Sequence, residues 1–299
     1  MVRQKKVSVI IPTYNLKEDL LDCIGSIYKQ DYKSIEVIVV DNVSTDGTSE
    51  AVEKRFPKVK LVRNKKNLGV TGAVNRGLKY AKGRYLLLVD HDNILESNML
   101  SELVRTIESD SKIGITVGKI YFDEDHTIIW AAGTGINLFT GQIYFRAGKD
   151  VGQFDKVEEV QVAPANFLLR RELVTNDGVY DPTYVINYED TDLSFRIRSQ
   201  GYRVVYTPKA ISYHRIPMSS EGAGKRLLSR AYWIGRNRVI FMKRWGNFYP
   251  FVTFFLPLLS VYYLYLALRY NQLGNFIKYC KGIYDGVIFS ERNKKIPSI

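Results

Sequence analysis

Cysteine is almost missing from this chain: its 299 residues hold two, Cys23 and Cys280. They lie far apart in segments of helical pattern, without a CxxC pair or a Cys/His cluster, which excludes a disulfide framework and a zinc site of that kind. A reducing compartment is expected. The amino-terminal stretch MVRQKKVSVIIP lacks a long apolar run and a small-residue cleavage pattern, so no signal peptide is expected and the chain is read as starting inside the cell. Acidic residues are scarce at the other end. After Asp192 there are 18 Lys/Arg against 3 Asp/Glu, so the whole net charge of +12 arises there and residues 1–192 carry a balance of −3. That basic third also contains a stretch with no charge at all, Phe248 to Leu268 (FYPFVTFFLPLLSVYYLYLAL). Basic flanks around an aromatic-rich apolar run suit an anionic membrane surface better than a nucleic-acid backbone. No nucleic-acid partner is expected.

What the sequence does have is 45% apolar residues, enough for a sizeable core, and repeated strand-loop-helix units. Val7–Ile11 is apolar on both faces and is read as a buried strand ended by Pro12. A helix follows, with Leu16, Leu20, Ile24, Ile27 and Tyr28 on one face. Ile35–Val40 gives a second strand, Val59–Val62 a third, and Tyr85 onward a fourth, each followed by a turn and, for the first three, a helix. Four strands alternating with three helices predict a mainly parallel, Rossmann-like sheet flanked by helices. The fourth strand ends in Val89-Asp90-His91-Asp92-Asn93. Two carboxylates at the carboxyl end of a buried strand sit where ligands of open α/β sheets bind, and their repulsion is relieved by a hard divalent cation carrying a phosphate.

Further on, Met99, Leu100, Leu103, Val104 and Ile107 describe a packing helix. Ile113–Val117 reads as a strand. Residues 118–155 read as a loop with a hairpin at Gln142–Arg146, in which His126 has no carboxylate at a ligand spacing.

At this point PTYN after the first strand, DNVSTDGT after the second, NLGVTGAVNRGLKYAKGRYLLLVDHDN, and YEDTDLSFRIRSQGYRVVYTP with His214 carry a resemblance. In this order and spacing, over roughly residues 5–240, the chain resembles the family 2 glycosyltransferases of the GT-A fold, in particular rhamnosyltransferase-like and cell-surface polysaccharide enzymes. The resemblance implies an inverting, metal-dependent hexosyl- or deoxyhexosyltransferase. It moves sugar from a nucleoside-diphosphate donor to a hydroxyl of a lipid-linked or polysaccharide acceptor. It implies Asp190 as general base, with Glu189 and Asp192 as the next candidates. Asp92 would bind Mn²⁺ or Mg²⁺ directly, Asp90 would support the ribose or the metal, and His214 would be the third metal ligand. The resemblance also implies that residues 118–155 lie on the acceptor side and that Gln161–Arg170 is the strand under the donor sugar, where Pro164-Ala165 stand in place of the family's common Gly-Ala.

Donor-binding candidates are Pro12, Thr13, Tyr14 and Asn15 after the first strand, Asp41 and Asn42 after the second, Asn67, Gly69 and Asn75 before the metal strand, and Asp90. Asp41 is the choice for the nucleobase, since a base needs directional polar partners, while the same residue types also cap the following helix. Lys66 and Arg76 read as solvated charges. The division expected is a nucleotide-sugar half over 1–95, an acceptor half over 96–215 and a basic, apolar helical extension over 216–299. A sugar-phosphate nucleotidyltransferase and a noncatalytic nucleotide-sugar-binding protein are the alternatives. The first lacks its Gly-rich basic loop at PTYNLKEDL, and the second has no use for the acidic box at Glu189–Asp192.

The extension is expected to hold the chain on the cytoplasmic face of the cell membrane. Pro250, Pro257 and the basic tail argue for attachment in the interface over one membrane span, with Tyr262, Tyr263 and Tyr265 at headgroup level and Lys243, Arg244 and Arg269 on anionic lipid. Homo-oligomerisation is left open.

Overall fold

A computed structural model describes residues 4–290. Its amino-terminal part is the expected alternation: β1 (Val7–Thr13), α1 (Lys17–Tyr28), β2 (Ile35–Asp41), α2 (Thr48–Arg55), β3 (Lys60–Arg63), α3 (Gly69–Leu78) and β4 (Tyr85–Leu88). β1 pairs in parallel with β2 and β4, and β2 with β3. The side chains explain the burial on both faces. Val7, Val9 and Ile11 join Leu20, Ile24 and Leu103 in a core on one face, while Ile10 joins Ala73, Val74 and Leu193 on the other. An alternating strand of this kind needs helices on both sides.

Pro12 does not end β1, as the sequence suggests. The strand runs on through Pro12, opposite Val40, to Thr13. The ladder with β4 stops at Ile10 and Leu88, and the Pro12 carbonyl faces His91 Nδ1 at 3.1 Å on that side. The missing N–H therefore leaves no ladder bond unmade.

After β4 come β5 (Asn93–Leu95), α4 (Met99–Ser109), β6 (Ile113–Phe122), β7 (Ile128–Ala131), β8 (Thr134–Ile136), β9 (Ile143–Phe145), β10 (Gly148–Lys149), β11 (Glu158–Glu159), β12 (Phe167–Arg170), α5 (Glu189–Ser199) and β13 (Arg203–His214). β8 and β9 form the hairpin expected near Gln142. β6 is longer than its apolar core because it pairs with β13 as far as Phe122. β12 is shorter than expected, since Pro164 and the left-handed Ala165 (φ 49°) precede it. It runs antiparallel between β4 and β6, joining the parallel half to the rest of the sheet in the order β10-β7-β6-β12-β4-β1-β2-β3.

The chain continues through α6 (Ser220–Ser229), α7 (Ala231–Trp245), α8 (Phe248–Pro250), a π-helical turn at Phe251–Phe255, α9 (Leu256–Arg269) and α10 (Leu273–Ile288). Pro250 and Pro257 do not break the apolar stretch: the π-helical turn lies between them, and Pro257 occupies the first turn of α9, where an absent N–H costs nothing. α7 and α10 pack at backbone distance. A Cβ on Gly282 would lie 2.1 Å from the Tyr232 carbonyl oxygen, and one on Gly286 2.7 Å from that of Arg236, so glycine is required at both. Tyr263 of α9 stacks on Tyr279 of α10 at 4.1 Å between ring centroids.

Candidate active site

The sheet delivers three ligand-type side chains to one place. β4 ends at Leu88 and the chain turns through Asp90 and Asp92 before β5, and β5 pairs antiparallel with the last residues of β13, putting His214 opposite Asn93. Ligand atoms of Asp90, Asp92 and His214 lie within 4.8 Å of one another. His214 Nε2 is 3.3 Å from Asp92 Oδ1. That contact lacks hydrogen-bond alignment, and both ring nitrogens are buried without a partner. Buried polar atoms are rarely left so. The Trp130 edge meets the imidazole at 4.5 Å between centroids.

The electrostatics agree with a cation site. Burial, then the neighbouring Asp92 charge, pushes the Asp90 carboxyl above its ordinary range. Burial pushes Asp92 up as well, but the attraction of His214 and His91 outweighs it and holds that group at about 2. Two carboxylates and an unpartnered imidazole are a donor set that suits a divalent ion of the Mn²⁺ or Mg²⁺ kind.

Asn166, which precedes β12, fixes the turn. Its Oδ1 accepts from Asp90 N at 3.2 Å, and its Nδ2 donates to Asn93 Oδ1 at 2.7 Å and Ser212 Oγ at 3.2 Å. Arg215, next to His214, ties this strand end to Asp19 (3.0 Å), Asp22 (2.9 Å) and Asp123 (3.0 Å).

A second acidic group faces the first. Asn187 and Tyr188 both take left-handed backbone (φ 66° and 69°) and turn the chain into α5, so that Glu189 and Asp190 open that helix. Non-glycine residues held in this region cost about 1–3 kcal/mol each and need support. α7 supplies it. Asn237 Nδ2 donates to the Ile186 and Asn187 carbonyls at 2.8 and 3.0 Å, Arg238 Nε donates to Tyr188 Oη at 2.9 Å, and that hydroxyl donates to the Gly141 carbonyl at 2.7 Å.

Asp90, His214, Glu189 and Asp190 line a single cavity of about 830 Å³. Burial and then the Asp190 charge lift Glu189 to about 8. Burial also lifts Asp190, to about 6, against the opposing pull of Thr191 N–H and Oγ1. Burial thus favours the protonated form of both carboxyls, which sets the pair apart from an ordinary exposed acidic turn.

The third acid of the box does something else. Asp192 is fully buried and accepts from Arg196 Nε at 2.8 Å and Trp245 Nε1 at 3.0 Å, with Arg244 Nη1 at 3.4 Å. Its carboxylate does not line the cavity, which removes it from the candidate bases. Breaking such a buried pair costs about 3–5 kcal/mol, so Asp192 anchors α7 to α5.

The donor candidates fall into two sets. Thr13 ends β1 opposite Asp41, Tyr14 and Asn15 follow it beside the β2 end, and the Asn15 N–H donates to Ser44 Oγ at 2.8 Å. Asp41, buried, uses Oδ1 for Ser44 N at 2.9 Å and Oδ2 for Ser49 Oγ at 2.6 Å, so it braces the loop that leads into α2, whose N-cap is Gly47 with no side-chain cap. Asn42 and Asn75 turn their amides to protein groups. Asn42 holds Asn64 Nδ2 (2.8 Å), Leu68 N (3.2 Å) and the Gly69 carbonyl (3.1 Å), and Asn75 holds Tyr180 N (3.1 Å) and O (2.8 Å). These two brace neighbouring loops instead of offering free donors. Asn67 Oδ1 accepts from Gly69 N at 2.9 Å. Gly69 itself is left-handed (φ 68°), a conformation that favours glycine at this turn. Lys66 and Arg76 are exposed. Arg171 caps the Ala81 carbonyl, and Arg170 caps Ile113 and Asp110.

Asn166, Trp130, Asn237 and Arg238 are site residues that sequence reasoning passes over. Only the run Arg236-Asn237-Arg238, three consecutive polar side chains just before the apolar run Val239–Met242, is a signal that points to any of them.

Comparison with known proteins gives a match to the glycosyl transferase family 2 model over residues 8–178. GlyG, a glycosyltransferase of Streptococcus pneumoniae, is 28% identical over 56% of this chain, which spans only 57% of GlyG. WfaP of Escherichia coli, named UDP-Glc:alpha-D-GlcNAc-diphosphoundecaprenol beta-1,3-glucosyltransferase, is 28% identical over 73% of this chain and 80% of its own length. A mannosyltransferase structure from Pyrobaculum calidifontis, in complex with GDP-Man and Mn²⁺, shares the fold at TM-score 0.59 and 19% identity, covering 97% of this chain and 78% of that one. The architecture is the GT-A fold. Glu189, Asp190, His214 and the carboxy-terminal helices lie beyond the residues matched by the family model.

Proposed function

This chain belongs to glycosyl transferase family 2, and we propose that it moves a sugar from a nucleoside-diphosphate donor to a hydroxyl of a lipid-linked or polysaccharide acceptor, with inversion at the anomeric carbon. The observation that carries this reading is the Asp90, Asp92 and His214 group, of which Asp90 and His214 line one cavity with Glu189 and Asp190. A divalent ion on those three residues, Mn²⁺ by preference for its tolerance of imidazole, would supply positive charge beside the departing diphosphate. Asp190, with Oδ1 held by Thr191, takes the acceptor proton at Oδ2. Glu189, beside it in the lining of the same cavity, orients the acceptor. Thr13, Tyr14 and Asn15, on the frame built by Asp41 and Asn42, hold the nucleoside. Residues 1–95 then form the donor half and 96–215 the acceptor half.

GlyG and WfaP are named for sugar transfer, and the complex of the Pyrobaculum enzyme with GDP-Man and Mn²⁺ supports the donor class. The test is incubation with a panel of sugar nucleotides and Mn²⁺. Slow, metal-dependent release of nucleoside diphosphate from one donor is expected. A requirement for nucleoside triphosphate and sugar phosphate would instead establish a nucleotidyltransferase, and binding without any turnover a noncatalytic protein.

The carboxy-terminal helices support attachment to a membrane interface. Phe248–Arg269 is long and apolar enough to cross a membrane. Yet along α9 Leu256, Leu259, Tyr263, Leu266 and Ala267 are buried in protein. Phe254, Leu258, Val261 and Leu268 lie outside that face, at 68%, 66%, 66% and 60% exposure. One apolar face toward protein and one toward solvent is the pattern of a helix lying in the interface, here the cytoplasmic one.

The anchors differ from those the sequence suggests. Tyr263 is buried, Arg244 pairs with Asp181 at 2.9 Å, and Lys243 caps carbonyls of α10 and Phe289, leaving Tyr262, Tyr265 and Arg269 for lipid. Truncation before Phe248 would strip Phe251, Leu256 and Leu259 from the core around Val239–Met242. Replacing Phe254, Leu258, Val261 and Leu268 together by serine is the cleaner change. Flotation with phosphatidylglycerol vesicles should fall at least tenfold while the melting temperature stays within a few degrees. Unchanged flotation would remove the membrane assignment.

A further inference from the structure

One phenol hydroxyl joins three segments around the cavity. Tyr188 is buried, and its Oη accepts from Arg238 Nε of α7 at 2.9 Å and donates to the Gly141 carbonyl at 2.7 Å. Gly141 lies in the turn between β8 and β9. It is left-handed (φ 65°), and a Cβ there would lie 2.9 Å from Arg238 Cγ, so the arginine stem closes directly over this turn. On its other side the guanidinium carbon is 5.9 Å from the centroid of the Tyr263 ring of α9. Arg238, itself buried, is thus gripped between α9 and the β8–β9 turn, with Nε aimed at Tyr188.

What Tyr188 controls is the start of α5. Its carbonyl accepts from Asp192 N at 2.8 Å, and its φ of 69° is one that a tyrosine keeps only where its surroundings hold it. Glu189 and Asp190 come next in the chain. The Asp190 carboxylate is hydrogen-bonded to its neighbour Thr191, and Glu189 Oε2 is buried without a partner. The two carboxyls therefore take their aim from the backbone that carries them, and a return of Tyr188 to the usual backbone region would re-aim both.

We propose that Arg238 is a positioning residue for these carboxyls: through the Tyr188 hydroxyl it holds the left-handed turn that aims Glu189 and Asp190 into the cavity. This rests on the glycosyltransferase reading, in which Asp190 is the base. It assigns the task to the Nε–H of Arg238 and not to its charge.

Two substitutions separate the N–H from the charge. Arg238→Gln sets an amide nitrogen where Nε stands and so keeps a donor for Tyr188, whereas Arg238→Met has a stem of the same length and no donor. Both are uncharged. With Mn²⁺ and the sugar nucleotide that the donor panel identifies, kcat should stay within about threefold of wild type in Arg238→Gln and fall at least tenfold in Arg238→Met, with KM for the donor within about twofold in both. Tyr188→Phe, the smallest change, keeps the ring against Phe241 at 5.7 Å between centroids and should match Arg238→Met. The two changes combined should be no worse than either alone, because they remove the same bond.

Hydrogen exchange read by mass spectrometry reports the turn without catalysis. Segment 187–194 should exchange at least tenfold faster in Arg238→Met and Tyr188→Phe, and within about threefold of the wild-type rate in Arg238→Gln. Equal loss of turnover in Arg238→Gln and Arg238→Met would give the role to the charge and overturn the proposal. Unchanged exchange in Arg238→Met and Tyr188→Phe would overturn it too. If the wild type turns over no donor while the exchange pattern is as expected, the glycosyltransferase reading fails and the hold of Arg238 on the acidic turn stands.

Discussion

Asp190→Asn is expected to reduce sugar transfer by about 10²–10⁴-fold, the usual contribution of a positioned general base, while donor binding in the presence of Mn²⁺ is retained. The amide keeps the hydrogen bond that Oδ1 accepts from Thr191 N at 2.7 Å, so α5 starts as before, but the side chain can no longer take a proton. In the wild type the rate should climb as pH rises through about 6, where Asp190 loses its proton, and the variant should have no such limb.

Stability moves the opposite way. Burial raises the folded pKa above the ordinary carboxylate value, so the contribution of Asp190 to stability is full below about pH 4 and is lost as pH rises through about 6. The asparagine variant is free of that penalty. It should melt at or above the wild type at pH 8 and alike at pH 4. A near-normal transfer rate in the variant would move the base role to Glu189, whose carboxyl, lifted by burial to about 8, would then place the rise in rate about two pH units higher.

These particular residues also show what the sequence made legible. Strand runs such as VSVII and YLLLVD are apolar on both faces and can only be central strands, so the parallel half of the sheet and the rim position of Asp90 and Asp92 follow from periodicity. The metal group needed more. His214 is far from Asp92 in sequence, and only the β5–β13 ladder brings them together, so His214 rested on resemblance. Positions two apart on a helix point in different directions, but which of Asp190 and Asp192 faces the cavity was not legible, because only the packed structure shows Arg196, Arg244 and Trp245 around Asp192. The same holds for the tyrosines of α9. Spacing puts Tyr262 and Tyr265 on one side, but the burial of Tyr263 depends on its stacking with Tyr279 sixteen residues on.

Asp92→Ala should abolish metal-dependent donor binding and leave the apo fold close to intact. The side chain is at the rim, 16% exposed, with His214 at 3.3 Å and Asn93 Nδ2 at 3.2 Å as its contacts, and Asn93 keeps its own bond to Asn166 at 2.7 Å. The stability that goes with those contacts is offset in part because Asp90, pushed up by burial and by Asp92, is relieved of a like charge. In the wild type, nucleoside diphosphate with Mn²⁺ at ~100 times its dissociation constant should stabilise the fold by about 2.7 kcal/mol. The variant should show none of this, and calorimetric titration should give no Mn²⁺-dependent heat of nucleotide binding. Metal-dependent binding in the wild type should itself strengthen with rising pH, since a proton on Asp90 competes with the cation for the same oxygen. Undiminished Mn²⁺-dependent binding by Asp92→Ala would place the cation elsewhere, and with it the leaving diphosphate. Glu189 and Asp190 would then face a cavity with no donor phosphate at its other end.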